Sequence, residues 1–357
     1  MKKIFFLMPQ LGGGGAERVV STLLRSLDKK KYSLNLLLIH NQGEFLKELP
    51  DHVNVIVLRA SKSRYSIFEI LQVLRKEKPD IVLSTIRGLS LLLMIIKPFL
   101  SRNTKVILRE ENTVSAALKE TKFRKLWEIY YRKIFTKSDK IICQSKYMVE
   151  DLNSNFNVPL DKMIQIYNPV DFKYIKSKLN DSVNPFENNI RKKNVVVIGR
   201  FAYQKGLDLL IDSINSYKEK LSDVTIWLVG DGELKQEYIQ KINNYNIQDL
   251  IKLPGKTNNP FAWMKYADLF LLVSRYEGLP NVLIEAAVCE VNTIVTNHPG
   301  GTSEIMDMIG RGYAVVETLN WDTQWFEKQS DINMEQLQGN FAVNNIKNKY
   351  ELLFDSL

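Results

Sequence analysis

Val195-Val196-Val197-Ile198 runs directly into Gly199-Arg200-Phe201-Ala202-Tyr203-Gln204-Lys205-Gly206, after which apolar residues recur at Leu207, Leu210, Ile211 and Ile214. The first run is short, continuous and β-branched, as a strand buried on both faces is. The last has the spacing of one helix face. Between them a glycine-bounded loop carries two cations at the carboxyl end of a strand, where open parallel sheets bind ligands. The Arg200 guanidinium can fork onto phosphate oxygens, Lys205 supplies a compact charge, and the helix start adds backbone N–H groups and the positive end of its dipole. Together they suit a diphosphate. In isolation, an Arg and a Lys in a loop are more often solvated charges; the position after a strand is what favours binding.

The same alternation extends in both directions. Strands are expected at 4–8, 34–39, 53–58, 81–84, 106–108, 140–144 and 164–167 in the first half, and at 195–198, 225–229, 269–273 and 293–296 in the second. Amphipathic segments between them, such as Val19, Leu23, Leu24 and Leu27, predict crossover helices. At 357 residues the chain is long enough for two cores. Periodicity fades over 171–193, where Asn, Asp, Lys and Pro dominate. The expected division is an N-terminal domain over 1–171, a linker over 172–193, a C-terminal domain over 194–340 and a closing helix over 341–357 that returns to the N-terminal domain. Two doubly wound α/β domains then face each other across a cleft.

Composition narrows the class further. Hydrophobic residues at 45% and charged residues at 25% exclude a largely disordered chain. Cys143 and Cys289 both lie in apolar stretches, too few for a disulfide framework, which fits a reducing cytoplasm. The apolar start at 4–8 is cut short by Pro9 and reads as a strand rather than a signal peptide. The apolar run over 89–100 is broken by Lys97 and Pro98, short of the ~20 residues a spanning helix needs. A net charge of +9 favours anionic partners without choosing among nucleotide diphosphates, lipid headgroups and nucleic acid. No nucleic-acid reading motif accompanies it.

A second motif, Glu277-Gly278-Leu279-Pro280-Asn281-Val282-Leu283-Ile284-Glu285-Ala286, follows the strand ending at Val273. With Asn281 as the helix cap, Glu277 falls on the loop and Glu285 in the first turns, so both carboxylates reach one crevice and can accept hydrogen bonds from vicinal hydroxyls. Glu in a first turn also satisfies the helix dipole without any ligand.

In this order the motifs resemble the retaining glycosyltransferases of the GT-B fold, family 4 (group 1), over nearly the whole chain. Gly12-Gly13-Gly14-Gly15-Ala16-Glu17-Arg18, Asn168-Pro169-Val170-Asp171, Val229-Gly230-Asp231-Gly232 and Pro299-Gly300-Gly301 extend the resemblance. It implies two Rossmann-like domains and a nucleotide diphosphate sugar as donor, UDP-linked, bound by the C-terminal domain. Arg200 and Lys205 would hold the diphosphate, Glu277 the transferred sugar and Glu285 the ribose, with Arg200, Lys205 and Glu277 the catalytic set. Gly199, Asn281 and Val282 join the donor site. Lys256 joins it through the 253–256 turn, where the family meets the nucleobase. Gly14 and Gly15 would border the phosphate from the N-terminal domain, and Glu17 would face acceptor or sugar, although a first-turn Glu also favours the dipole alone.

The chain departs from the family where many members carry a His. It reads Arg109-Glu110-Glu111-Asn112 there, so Glu111 or Asn112 takes that contact or simply caps the loop. Cys289-Glu290-Val291-Asn292 replaces the Gly and Pro usual before the next strand, at a turn away from the site. The glycine run fails the dinucleotide fingerprint, because its third glycine position is Glu17. There is no Asp-x-Asp triplet, and His40, His52 and His298 are scattered, so no metal ligand set is expected and cations take the metal's place. The expected activity is metal-independent hexosyl or N-acetylhexosaminyl transfer, with no cofactor, onto a glycan or polyprenyl-diphosphate-linked oligosaccharide of a bacterial surface polysaccharide such as O-antigen or capsule. The alternative is a catalytically silent GT-B partner of another transferase. Phe123, Trp127, Tyr130 and Tyr131 lie among Lys122, Arg124, Lys125, Arg132 and Lys133. That pattern suggests either peripheral contact with the inner face of the plasma membrane or a solvated helix face.

Overall fold

A computed structural model describes residues 1–59, 66–189, 192–310, 315–327 and 332–357. The chain divides into two compact units, Met1–Pro169 with Asn340–Leu357, and Val170–Gly339.

In the first unit, seven parallel strands lie in the order β3-β2-β1-β4-β5-β6-β7. They are β1 (Lys2–Met8), β2 (Tyr32–Leu38), β3 (Asn54–Val57), β4 (Ile81–Ser84), β5 (Lys105–Arg109), β6 (Lys140–Cys143) and β7 (Met163–Gln165). The connecting helices are α1 (Gly15–Ser26), α2 (Ile67–Glu77), α3 (Arg87–Ile96), α4 (Val114–Lys119), α5 (Arg124–Ile129) and α6 (Lys146–Phe156). Central strand β1 has no exposed residue from Ile4 to Met8, and α1 buries Val19, Val20, Leu23 and Leu24. This is the pattern of a sheet covered on both faces.

The second unit begins with α7 (Phe172–Asn180), then alternates β8 (Lys193–Ile198), α8 (Leu207–Tyr217), β9 (Val224–Val229), α9 (Lys235–Asn244), β10 (Ile251–Gly255), α10 (Pro260–Tyr266), β11 (Leu269–Leu272), α11 (Asn281–Val288), β12 (Thr293–Thr296), α12 (Thr302–Ile309) and β13 (Val315–Val316). Its parallel strands run β10-β9-β8-β11-β12-β13. The chain ends in α13 (Met334–Phe341) and α14 (Val343–Asp355). The last helix closes the first unit: Lys2 Nζ donates to the Phe354 carbonyl at 2.7 Å, and the Asp28 N–H donates to Glu351 at 3.1 Å.

Three local expectations differ from the structure. Residues 172–180, read as part of a linker, form α7, whose Tyr174 ring meets Phe261 edge-on at 6.2 Å. Its apolar residues are too few to show helical periodicity against the polar background. The 253–256 turn is instead largely strand, since Leu253, Pro254 and Gly255 belong to β10. A proline is tolerated there because β10 is an edge strand and needs no further ladder donor. The cap of α11 is Pro280, and Asn281 is its first residue. Residues 190–191 of the expected linker lie outside the described residues.

In both sheets the strand order reverses beside the first strand of the unit, between β1 and β4 and again between β8 and β11. Loops leaving two such strands run to opposite faces and open a crevice at the carboxyl edge.

Candidate functional site

The two C-terminal motifs leave the strands flanking the switch point of the second sheet. Gly206 caps α8 with φ of +65°, and a Cβ on it would overlap the Val273 carbonyl oxygen. Only glycine lets the β8–α8 loop lie this close to the end of β11. The Arg275 N–H donates to the Gln204 carbonyl at 2.7 Å. The Arg275 guanidinium donates to the Tyr203 carbonyl at 2.8 Å, lies 4.0 Å from the Tyr203 ring centroid, and forks onto both carboxylate oxygens of Asp208. Burial alone would raise the Asp208 pKa, but the hydrogen bonds and charge of Arg275 outweigh it and hold the carboxyl below its usual range.

This loop-to-loop clamp brings Lys205 and Glu277 together. Glu277 Oε1 accepts from Lys205 Nζ at 2.6 Å and from Ser274 Oγ at 2.5 Å, while Oε2 accepts from Gln204 Nε2 at 3.1 Å. With 5% of its surface exposed, Glu277 is fixed in place. Its backbone is held as well: its N–H donates to the Pro299 carbonyl at 2.9 Å, and the Gly301 N–H donates to the Gly278 carbonyl at 2.9 Å. A Cβ at Gly300, whose φ is +137°, would strike the Glu277 carbonyl oxygen. Below it, His298 Nδ1 contacts the Thr296 carbonyl and Nε2 contacts Thr302 Oγ1, each at 2.7 Å. Burial pushes the His298 pKa down despite the opposing Glu277 charge, so the imidazole is neutral, with Nδ1 donating and Nε2 accepting.

The other donor-side residues share this edge because all the strands are parallel. Arg200 is exposed, one residue past Gly199, whose N–H donates to the Val229 carbonyl at 3.1 Å. The Phe201 N–H donates to the Asp231 carbonyl at 2.8 Å, and Cβ atoms at Gly230 or Gly232 would overlap the carbonyls of Gly199 and Phe201. The Gly-Asp-Gly motif thus supports the Arg200 loop from beneath. Asn281 and Val282 are half-buried in the first turn of α11, Glu285 is 8% exposed one turn further, and Lys256 is exposed just after β10.

In the first unit, Gly14 caps α1 without a side-chain hydrogen bond, and Gly15 is its first residue. A Cβ on Gly14 would overlap the Glu17 carboxylate, so the bare glycine makes room for it. Glu111 follows β5 and accepts from Thr85 Oγ1 at 3.3 Å. Burial pushes its pKa up to about 8 against the opposing Arg109 cation, and the Glu110 and Glu17 charges add to the rise. Glu111 and Glu17 therefore feel one another although 94 residues separate them in sequence. Neighbouring Glu110 is buried, accepts from the Tyr131 hydroxyl at 2.8 Å and from the backbone N–H groups of Glu111 and Asn112. Asn112 is half-buried beside it. Arg109 donates to Thr85 Oγ1 at 3.0 Å and to Asn168 Oδ1; Asn168 donates to Gln144 Oε1 at 2.7 Å, which accounts for Asn168 in the Asn-Pro motif.

Sequence reasoning missed Ser274, Gln204, Arg275 and Asp208 as parts of the site. Ser274 and Arg275 had one available signal: both precede Glu277 immediately after a buried strand.

Two doubly wound sheets, one with a cation–carboxylate pair locked at its switch point, define an α/β protein of the ligand-binding, Rossmann-like class. Comparison with known proteins narrows this class. A family model described as glycosyl transferases group 1 matches residues 181–329, and one described as glycosyltransferase family 4 matches residues 13–174. The chain is 26% identical over 85% of its length, and 83% of the relative's, to the N-acetylgalactosamine-N,N'-diacetylbacillosaminyl-diphospho-undecaprenol 4-alpha-N-acetylgalactosaminyltransferase of Campylobacter jejuni. It is 27% identical to the amylovoran biosynthesis glycosyltransferase AmsD of Erwinia amylovora, over 96% of this chain and 93% of that one. Among solved structures, Anabaena HepE in complex with UDP-glucose has the same fold, with a TM-score of 0.79 at 18% identity and all of both chains covered. The chain belongs to the group 1, family 4 glycosyltransferases, and its fold is GT-B.

Proposed function

We propose that this glycosyltransferase moves a hexosyl or N-acetylhexosaminyl group from a UDP-sugar to a glycan or polyprenyl-diphosphate-linked oligosaccharide during bacterial surface polysaccharide synthesis. The observation that carries the donor reading is the Lys205–Glu277 pair at the β8/β11 switch point, beside the N-termini of α8 and α11. Lys205 and Arg200 offset charge developing on the departing diphosphate without a metal, as helix N-termini and cations do in other phosphate sites. Glu277 accepts hydrogen bonds from the sugar hydroxyls, Glu285 from the ribose, and Gly199, Asn281, Val282 and Lys256 complete the donor side. Gly14 and Gly15 border the phosphate, while Glu17, Glu111 and Asn112 serve the acceptor side. The bond from the anomeric carbon to the phosphate oxygen breaks, the acceptor oxygen bonds to that carbon on the same face, and the acceptor's proton passes to the departing phosphate. Configuration is retained. The diphospho-undecaprenol in the Campylobacter relative's name supports the lipid-linked acceptor, the amylovoran enzyme of Erwinia supports the polysaccharide setting, and the UDP-glucose complex of HepE supports the donor class.

Binding and slow hydrolysis of UDP-, GDP- and ADP-sugars, with a chelator present and with Lys205→Ala and Glu277→Ala alongside, test this reading. One donor bound and hydrolysed by the native chain and lost in both variants is the expected result. No donor bound at all would place the chain among silent GT-B partners.

A further inference from the structure

His298 is one of three histidines scattered through the sequence, and its ring lies in the field of the Lys205–Glu277 pair, whose two charges act on it in opposite senses. It sits in the loop over 297–301, between the end of β12 and the start of α12. The ring spans this loop from one end to the other. Nδ1 meets the carbonyl of Thr296, the last residue of β12, and Nε2 meets Oγ1 of Thr302, the first residue of α12, each at 2.7 Å. A neutral imidazole offers one donor and one acceptor at a fixed separation. With His298 8% and Thr302 2% exposed, both ends of the bridge need the partners they have. The bridge therefore sets the spacing between the two ends of the loop.

What the loop holds is the backbone of the candidate sugar-binding carboxylate. The Pro299 carbonyl accepts from the Glu277 N–H and the Gly301 N–H donates to the Gly278 carbonyl, both at 2.9 Å. Pro299 has no N–H by which its own peptide could be fixed, and Gly300, at φ of +137°, has no side chain to restrict its backbone. The two groups that grip Glu277 and Gly278 are thus placed by the loop's ends, and His298 ties those ends together. The Glu277 side chain is gripped separately, by Lys205, Gln204 and Ser274. A shift of the loop moves the backbone of Glu277 while its carboxylate stays anchored, and so tilts the carboxylate.

We propose that His298 is a positioning residue for the donor sugar: by bridging Thr296 and Thr302 it holds the 299–301 loop on the backbone of Glu277 and so fixes where the Glu277 carboxylate meets the sugar hydroxyls. This deepens the proposed function and rests on its assignment of Glu277 to the sugar. His298 itself touches no ligand. An aliphatic residue in its place leaves the Thr302 hydroxyl buried without an acceptor, and a Lys or Arg has no acceptor to offer it. Misplacement of a positioned group by about 1 Å costs up to about 100-fold in rate, so a modest slackening of the loop is enough to register.

Two measurements on the full chain test it. Without any ligand, the Glu277 and Gly301 amides of His298→Ala should exchange hydrogen at least about tenfold faster than in the native chain, while the Gly199 and Phe201 amides of the β8–α8 loop keep their rates. With ligand, calorimetric binding of UDP is compared with binding and slow hydrolysis of UDP-glucose and UDP-N-acetylglucosamine. His298→Ala should bind UDP within about twofold of native, because Arg200 and Lys205 are untouched, and should lose about ten- to 100-fold in hydrolysis of whichever sugar nucleotide the native chain turns over. His298→Asn, whose amide reaches the Thr296 carbonyl from the Nδ1 position, and Thr302→Val each lose only the Thr302 half of the bridge. They should agree with one another and fall between native and His298→Ala, and they carry the test if the alanine variant does not fold. Native exchange rates at Glu277 and Gly301 in His298→Ala, or a loss that falls equally on UDP and on the sugar nucleotides, overturn the inference. Glu277→Ala run alongside separates the two readings: native hydrolysis in that variant removes the sugar assignment and this inference with it, whereas lost hydrolysis there with native hydrolysis in His298→Ala and Thr302→Val removes this inference alone.

Discussion

At the scale of single residues, two carboxylates with opposite shifts make opposite predictions. Asp208 is held below its ordinary range by Arg275, so its contribution is present above the unfolded pKa, near ~3.9, and disappears as pH falls through the folded value. The native chain should therefore melt higher than Asp208→Asn at neutral pH, and the difference should shrink toward zero on acidification to about pH 2. Glu111 is raised to about 8, so the folded chain keeps a proton that the unfolded chain releases. Its effect on stability turns unfavourable as pH rises from ~4.3, and levels off above the folded value. Glu111→Gln should thus gain stability relative to the native chain across that window, as read by thermal melts from acid to alkaline pH. Sequence placed Glu111 where family members have a His, but its environment depends on Thr85, Arg109 and Glu17, which only folding assembles.

At the scale of elements, the donor-side loops depend on close backbone approaches rather than on loop composition. Gly206 joins the β8–α8 loop to the end of β11, and Gly300 packs the β12–α12 loop on Glu277. Gly206→Ala meets both a left-handed φ and the Val273 carbonyl, and should cost about 1–3 kcal/mol in urea unfolding. It should also weaken donor binding more than this loss of stability explains, because Lys205 is the neighbouring residue. The strands and helices around these loops were legible because buried strands and amphipathic helices carry local periodicities. β10 was missed because Pro254 and Gly255 signal a turn, and they are tolerated in a strand only at a sheet edge.

At the scale of the whole molecule, the chain's last helix belongs to its first unit. α14 buries Ile346, Tyr350, Leu353 and Phe354, and it bonds to Lys2, Asp28 and Tyr32. Tyr32 donates its hydroxyl to Asp355 at 2.6 Å and meets the Phe354 ring edge-on at 5.9 Å. Phe354→Ala should cost about 3–5 kcal/mol, a large fraction of an ordinary domain's stability. The loss should appear as earlier protection loss in β1 and β2 during hydrogen exchange, while β8 and β9 keep theirs. Among the described residues, no helix is long and apolar enough to cross a membrane.

The amino-acid sequence by itself determined two parallel, doubly wound sheets, the family, and the loops that carry Arg200, Lys205, Glu277 and Glu285. Each of these is written in short-range periodicity or in motifs a few residues long. Only the tertiary structure decided that Lys205 pairs with a carboxylate 72 positions away, that Gly230, Gly232 and Gly300 are spacers beneath other strands' loops, and that Tyr130 and Tyr131 turn inward while Phe123, Leu126 and Ile129 turn out. The physical reason is common to all three. Side-chain direction and close approach depend on which distant segment packs alongside, and neither leaves a local pattern in the chain.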